Sequence, residues 1–206
     1  MEDLYKYERV LYEQGIKYIG GVDEVGRGPL IGPVVSACVI LPQHFSLEGL
    51  TDSKKISSFK REEFYQIIKK EALAIGIGFV DAKIIDEINI LEASKKSMEI
   101  AIKNLHHPIE HVLIDALTLD LDVPSTSIIK GDSKSISIAA ASVIAKVTRD
   151  NYMIELGKKY PLYGFQYHKG YPTKRHLEAI EKYGLIEEYR LTYKPIQKVM
   201  RKKVRS

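Results

Sequence analysis

Four acids occupy positions from which carboxylates do chemistry: Asp23 and Glu24 side by side, then Asp115 and Asp132. Each closes an apolar run or sits in a glycine-flanked turn, Asp115 after Val112-Leu113-Ile114 and Asp132 within Lys130-Gly131-Asp132-Ser133. Neighbouring residues of an extended strand point to opposite faces, so at least one of Asp23 and Glu24 is directed at a buried side. A buried carboxylate needs a partner, and a divalent cation is a good one. Oxygen donors without Cys or His suit magnesium or manganese. Two such cations about 3.5–4 Å apart are an effective device for hydrolysing a phosphodiester at neutral pH, because they activate water and steady the leaving oxygen. Singly, each acid has an ordinary structural reading: Asp132 as a helix cap, Asp115 as the end of a strand, the Asp-Glu pair as decoration. Asp150, in Ala145-Lys146-Val147-Thr148-Arg149-Asp150, competes for the fourth position. About five turns of helix separate it from Asp132, so the two cannot share one site, and Asp150 with Arg149 reads as structural or peripheral.

Two further stretches carry chemistry. Gly26-Arg27-Gly28-Pro29 follows the first acids. Its glycines let backbone pass close to a ligand, and its arginine offers a planar, permanent cation for phosphate. The second stretch runs from Tyr163-Gly164-Phe165 to His168-Lys169-Gly170-Tyr171-Pro172-Thr173. Aromatics interleaved with Lys and Gly suit a nucleic-acid surface, where a ring stacks on sugar or base and lysine takes phosphate. The competing reading of Tyr171 is a core aromatic, since the chain has 13 tyrosines. Lys130 and Lys146 read equally as phosphate contacts or as solvated surface lysines.

The elements that must position these residues are read from pattern. Lys17 to Leu41 gives strands at about 18–25 and 33–41 around a glycine-rich tip. An N-terminal helix covers residues 2–14, and a loop ends in Thr51-Asp52-Ser53-Lys54-Lys55. Ser57 or Ser58 caps a helix over about 59–73, followed by a strand at 74–80 whose glycines leave room for something packed across it. Asp81 caps a helical turn over 82–88, and a longer helix starts near Asn89 and runs to Leu105. Val112–Ile114 reads as a central strand and Ser127–Ile129 as another, with helices over about 133–156 and 173–183, a loop over 158–172 between them and a basic helix near the end. The order implies α/β architecture, a mixed sheet with helices on both faces, in one domain over 1–206.

Composition bounds the rest. With 45% apolar and 28% charged residues the chain is a globular protein, and its formal charge of +4 hides a basic C-terminal tail, 194–206, that holds six Lys/Arg and no acid. That tail favours a polyanionic partner. The single Cys38 excludes a disulfide framework, and no stretch has the length of a membrane span or the pattern of a signal peptide, so a cytoplasmic location is expected.

The segment GVDEVGRGPLIGPVV closely resembles the first motif of the bacterial ribonuclease HII family, and three further blocks continue the resemblance in order, over roughly residues 17 to 185. The resemblance implies a ribonuclease H-like fold, a five-stranded mixed sheet followed by a helical C-terminal portion. It implies metal binding by Asp23, Glu24, Asp115 and Asp132, with two Mg2+ or Mn2+ ions when substrate is bound. It implies reading of a ribose 2′-hydroxyl by the backbone of Gly26, Arg27 and Gly28, and contact of Tyr171 with an RNA–DNA junction. That division has its own logic, since the 2′-hydroxyl is what tells RNA from DNA at a given sugar. The expected activity is hydrolysis of the RNA strand of RNA–DNA hybrids and nicking 5′ of ribonucleotides in duplex DNA, by a monomer. Ala116 stands where the family often has glycine, which bears on local backbone geometry.

Other classes fit less well. Gly26, Gly28 and Gly32 suggest a dinucleotide fingerprint, but their spacing is wrong and a strand follows instead of a helix. A non-catalytic nucleic-acid binder explains the tail and the aromatics but not four acids where phosphate must come. The sister type, ribonuclease HIII, carries an additional N-terminal domain, for which about 16 residues before the first strand leave no space. Gln197-Lys198-Val199-Met200 begins like a sliding-clamp peptide, but Lys202 and Lys203 replace its aromatics, and clamp binding is not expected.

Overall fold

The computed structural model describes residues 3–51, 53 and 56–203. Met1, Glu2, Asp52, Lys54, Lys55 and tail residues 204–206 lie outside the described residues.

β1 (Ile19–Val25) and β2 (Val34–Ile40) form the expected hairpin. With β3 (Ala74–Val80), β4 (His111–Asp115) and β5 (Ser125–Ile128) they make a five-stranded sheet of order β3-β2-β1-β4-β5. Pairing is antiparallel among β1, β2 and β3 and parallel from β1 to β4 to β5, a mixed sheet as expected. Helices cover both faces, because β2 is apolar on both. Ala37 and Val39 pack with α2 (Ser58–Glu71) and α4 (Ile136–Lys159), whereas Cys38 and Ile40 pack with α3 (Ala82–Lys103).

The glycines of the strands are packing devices. A Cβ at Gly76 or Gly78 would lie 2.0 or 1.9 Å from carbonyl oxygens of α3, and one at Gly21 would lie 2.1 Å from the Ser137 backbone. α3 and α4 therefore approach the sheet at backbone distance, and α4 does so two residues before Asp23. The break expected near Asn89 is present: its φ is 69°, and its side chain accepts from Leu91 and Glu92 amides, so it starts the second part of α3.

Several boundaries differ from the sequence reading: β5 spans Ser125–Ile128 where Ser127–Ile129 is expected, and the N-terminal helix is shorter than 2–14. α4 starts at Ile136, not at Ser133, because Ser135 is the residue whose hydroxyl accepts from the Ile138 amide. Gly131–Ser133 instead form a separate 3-10 turn after Lys130, which sits in the left-handed region. The expected loop over 158–172 contains a short α5 (Phe165–His168). α6 (Lys174–Tyr183) is capped by Thr173, and α7 (Lys194–Lys203) carries the described part of the basic tail. Around these helices lies a second core, in which Leu30 and Ile31 from the hairpin tip pack with Met153, Phe165, Ile180, Tyr189 and Ile196. The N-terminal helix, α1 (Lys6–Glu13), buries Glu8, whose carboxylate accepts from the Ser135 hydroxyl and the Ser137 amide at the start of α4. Among the described residues no helix is long and apolar enough to cross a membrane.

Candidate active site

Asp23 ends the buried part of β1, and Asp115 closes β4. The register pairs Val22 with Ile114, so the next residues along the two parallel strands are these two acids. Val22 and Ile114 face α3, which turns Asp23 and Asp115 toward α4. Glu24 alternates to the other face, yet one oxygen from each of Asp23, Glu24 and Asp115 falls within 4.8 Å of the others. Asp132 stands beside this trio. The Gly131 amide ahead of it donates to Asp115 Oδ1 at 2.6 Å, and its charge adds to those acting on Asp23.

Burial, then the charges of Glu24 and Asp115, hold the Asp23 carboxyl well above the usual range, against a lowering hydrogen bond from Ser142. Burial also raises Glu24, opposed chiefly by the Arg27 guanidinium 3.3 Å away. Glu24 Oε2 is buried without a hydrogen-bond partner among the described residues. Clustered acids raised by mutual repulsion, hard oxygen donors only and an orphaned buried oxygen together fit a divalent cation.

The tip of the hairpin lies next to the second motif. A Cβ on Gly28 would meet the Tyr171 ring at 3.3 Å, so backbone and ring face each other with no side chain between them. Tyr171 is half-exposed at 41% and has a ring available for contact. Its carbonyl is held by His176 Nδ1 at 2.8 Å. That contact requires Nδ1 to carry the proton, so Nε2 accepts from the Tyr189 hydroxyl at 2.9 Å. Burial lowers the His176 pKa to about 4 and keeps the ring neutral. Gly26 has φ +98°, and a Cβ there would meet Arg149 Nε at 2.3 Å. Lys146 is held by Asp150 at 2.7 Å, and Asp150 is not among the acids that the structure brings together. Ala116 adopts φ 53°, the conformation in which glycine is strain-free.

Sequence reasoning missed three kinds of supporting residue. Ser142, hydrogen-bonded to Asp23 and at 2.8 Å to Ser53, is one polar residue in a run of small ones on α4. Arg190 and Tyr193, which hold the hairpin tip, come from a stretch without any motif.

A mixed sheet with acids at the adjoining ends of two parallel strands and a further acid in the turn before a long helix defines a ribonuclease H-like nuclease. Residues 20–196 match the sequence model of the family described as Ribonuclease HII. A ribonuclease HII of Bacillus cytotoxicus is 58% identical over 202 residues, which are 98% of this chain and 78% of the relative. Among solved structures, the ribonuclease H2 of Pyrococcus horikoshii OT3 matches with TM-score 0.77 and 27% identity, over 92% of this chain and all of the other. The ribonuclease HII in a PCNA complex from Archaeoglobus fulgidus matches with TM-score 0.68 and 26% identity, over 86% and 95%. The chain belongs to the ribonuclease HII family and is a ribonuclease H of type 2.

Proposed function

We propose that the protein hydrolyses the RNA strand of RNA–DNA hybrids and nicks duplex DNA on the 5′ side of embedded ribonucleotides, leaving 3′-hydroxyl and 5′-phosphate ends. The observation that carries this reading is the trio Asp23, Glu24 and Asp115, with oxygens within 4.8 Å, beside a glycine-built backbone that faces the Tyr171 ring. Asp23, Glu24, Asp115 and Asp132 are the residues that would hold two Mg2+ or Mn2+ ions. Bound there, the cations supply neutralisation of the phosphate charge and make hydroxide available at neutral pH.

The chain's own residues do the rest. Gly28 puts no side chain between the tip and Tyr171, and Gly26 leaves room for Arg149 packed beneath it, so that main-chain groups of residues 26–28 meet the ribose 2′-hydroxyl. Tyr171 stacks on the neighbouring sugar, which places the junction against the acids. Arg27, half-exposed and within 3.3 Å of Glu24, sits where a phosphate approaches the cluster. One chain supplies the four acids and both substrate loops, so the reading takes 1–206 as one catalytic domain acting as a monomer. It works in the cytoplasm, where the chromosome of a bacterial enzyme lies, and in ribonucleotide excision and primer removal.

The test is a 5′-labelled duplex containing one ribonucleotide, incubated with Mg2+ and separately with Mn2+. Cleavage 5′ of the ribonucleotide with a 3′-hydroxyl end is expected. A 2′,3′-cyclic phosphate would show the ribose hydroxyl acting as nucleophile and overturn the mechanism.

A further inference from the structure

Among the described residues the two largest fully buried side chains are both cations, Arg149 on α4 and Arg190 beyond α6. Among the described residues neither forms an ion pair. Most of their donors go instead to main-chain carbonyls of the hairpin tip. Arg149 donates from Nε to Pro33 at 3.0 Å, from Nη2 to Ile31 at 3.2 Å and from Nη1 to Lys169 at 3.1 Å. Arg190 donates to Gly32 from Nε and Nη2, at 3.0 and 2.8 Å, and from Nη1 to Arg27 and Pro29 at 3.1 and 2.9 Å. Tyr193 completes the group: its hydroxyl accepts from Arg190 Nη1 at 3.0 Å and donates to the Arg27 carbonyl at 2.7 Å.

A buried cation without a carboxylate is an expensive way to fill a core, since apolar side chains of similar volume generally do so at less cost. Its return here is geometric. A peptide group is planar, and in the trans form its N–H points opposite to its C=O. Turning the carbonyls of Arg27, Pro29, Ile31, Gly32 and Pro33 inward therefore fixes the direction in which the tip's other main-chain groups face. The Arg27 carbonyl sets the Gly28 amide in this way, at the position whose Cα faces the Tyr171 ring. Arg149 also ties the tip to Lys169, two residues before Tyr171, and the Leu30 amide donates to the Gly170 carbonyl at 2.8 Å. Tip and tyrosine loop thus share one polar frame.

We propose that Arg149, Arg190 and Tyr193 are positioning residues for substrate selection, fixing the peptide planes of residues 27–33 and their distance from Tyr171, so that a ribose meets a preset surface instead of a loop that orders on binding. The inference rests on the reading that the Gly26–Gly28 backbone meets the ribose.

The mildest test is Tyr193→Phe, which keeps the ring and removes the hydroxyl on the Arg27 carbonyl. Single-turnover cutting of a one-ribonucleotide duplex at saturating enzyme should fall about fivefold, the worth of one hydrogen bond. Affinity for an all-DNA duplex and half-saturating Mg2+ should stay within about twofold, because phosphate contacts and acids are untouched. Arg149→Lys and Arg190→Lys keep the charge but cannot reach three carbonyls at once, so a loss of tenfold or more per folded molecule is expected, with faster amide exchange across residues 26–33 and an unchanged β1–β2 ladder. If Tyr193→Phe cuts at the wild-type rate, or exchange in the tip is unaltered, the inference is overturned. Should both lysine variants fail to fold, Tyr193→Phe decides alone. A wild-type enzyme that ignores single ribonucleotides would refute the functional reading instead, before any variant is made.

Discussion

Replacing Asp23 by asparagine separates what the acid does for the fold from what it does for catalysis. Asp23 is 6% exposed, and its neighbours Glu24 and Asp115 bring oxygens within 4.8 Å. At an effective dielectric constant of about 20, two unit charges at that distance repel by about 3 kcal/mol. Asp23 relieves part of this by holding its proton to higher pH, so neutralising it should return roughly 1–3 kcal/mol. For a chain of this size that raises Tm by roughly 3–10 °C in chelator. The asparagine side chain retains a carbonyl oxygen for the Glu24 amide, which donates to Asp23 Oδ1 at 2.7 Å, so the local backbone is preserved. With cation present the order changes. Mn2+ should stabilise the wild type in proportion to ln(1 + [metal]/Kd) and the variant much less. Single-turnover cutting should fall at least about a hundredfold. The assays are thermal melts with and without Mn2+ and a rate at saturating Mg2+. A variant less stable than wild type in chelator, or one that cuts at near-normal rate, would refute the reasoning.

Three other outcomes follow from the geometry. Tyr171→Ala should slow cutting at a single ribonucleotide far more than it weakens all-DNA binding, by the roughly 1–3 kcal/mol of a stacked ring, and Tyr171→Phe should lose less; equal losses in rate and binding would return Tyr171 to a structural role. His176 has its pKa lowered from 6.5 to about 4, so the unfolded chain binds the proton first. Its contribution is present above pH 6.5 and is lost as pH falls toward 4, by roughly 3 kcal/mol at most, and urea midpoints across that window should fall less steeply in His176→Gln. Ala116→Gly removes a left-handed strain of about 1–2 kcal/mol against a glycine entropy cost of about 0.5–1 kcal/mol, so Tm should rise by about 2 °C, and a fall would show that the methyl group packs usefully.

Much of the frame is legible in the residues. β3 was readable to its ends because Gly76 and Gly78 alternate with apolar residues between a helix and Asp81, and the interruption of α3 because Asn89 is a strong helix starter. Asp23 and Asp115 were legible as strand-end acids, and their adjacency follows from a parallel register that no local pattern displays. The sequence places the start of α4 three residues early, since Asp132 and Ser135 are both good caps and only the Ile138 amide decides between them. Arg149 reads only as structural or peripheral, with no particular role, for a deeper reason. What a buried guanidinium does depends on carbonyls 116 and 118 residues away, and periodicity reports only on neighbours.

The hairpin tip has a consequence for anyone who wishes to move this activity to another scaffold. Residues 17–41 look like a self-contained cassette, carrying two of the acids and the glycines together. Their tip is nevertheless hung from side chains that lie 158 to 166 positions further along, on Arg190 and Tyr193, as well as from α4. Grafting the segment alone would transplant the letters of the motif without its shape. The smallest portable unit is the hairpin with α4 and the chain through Tyr193, which amounts to nearly the whole protein.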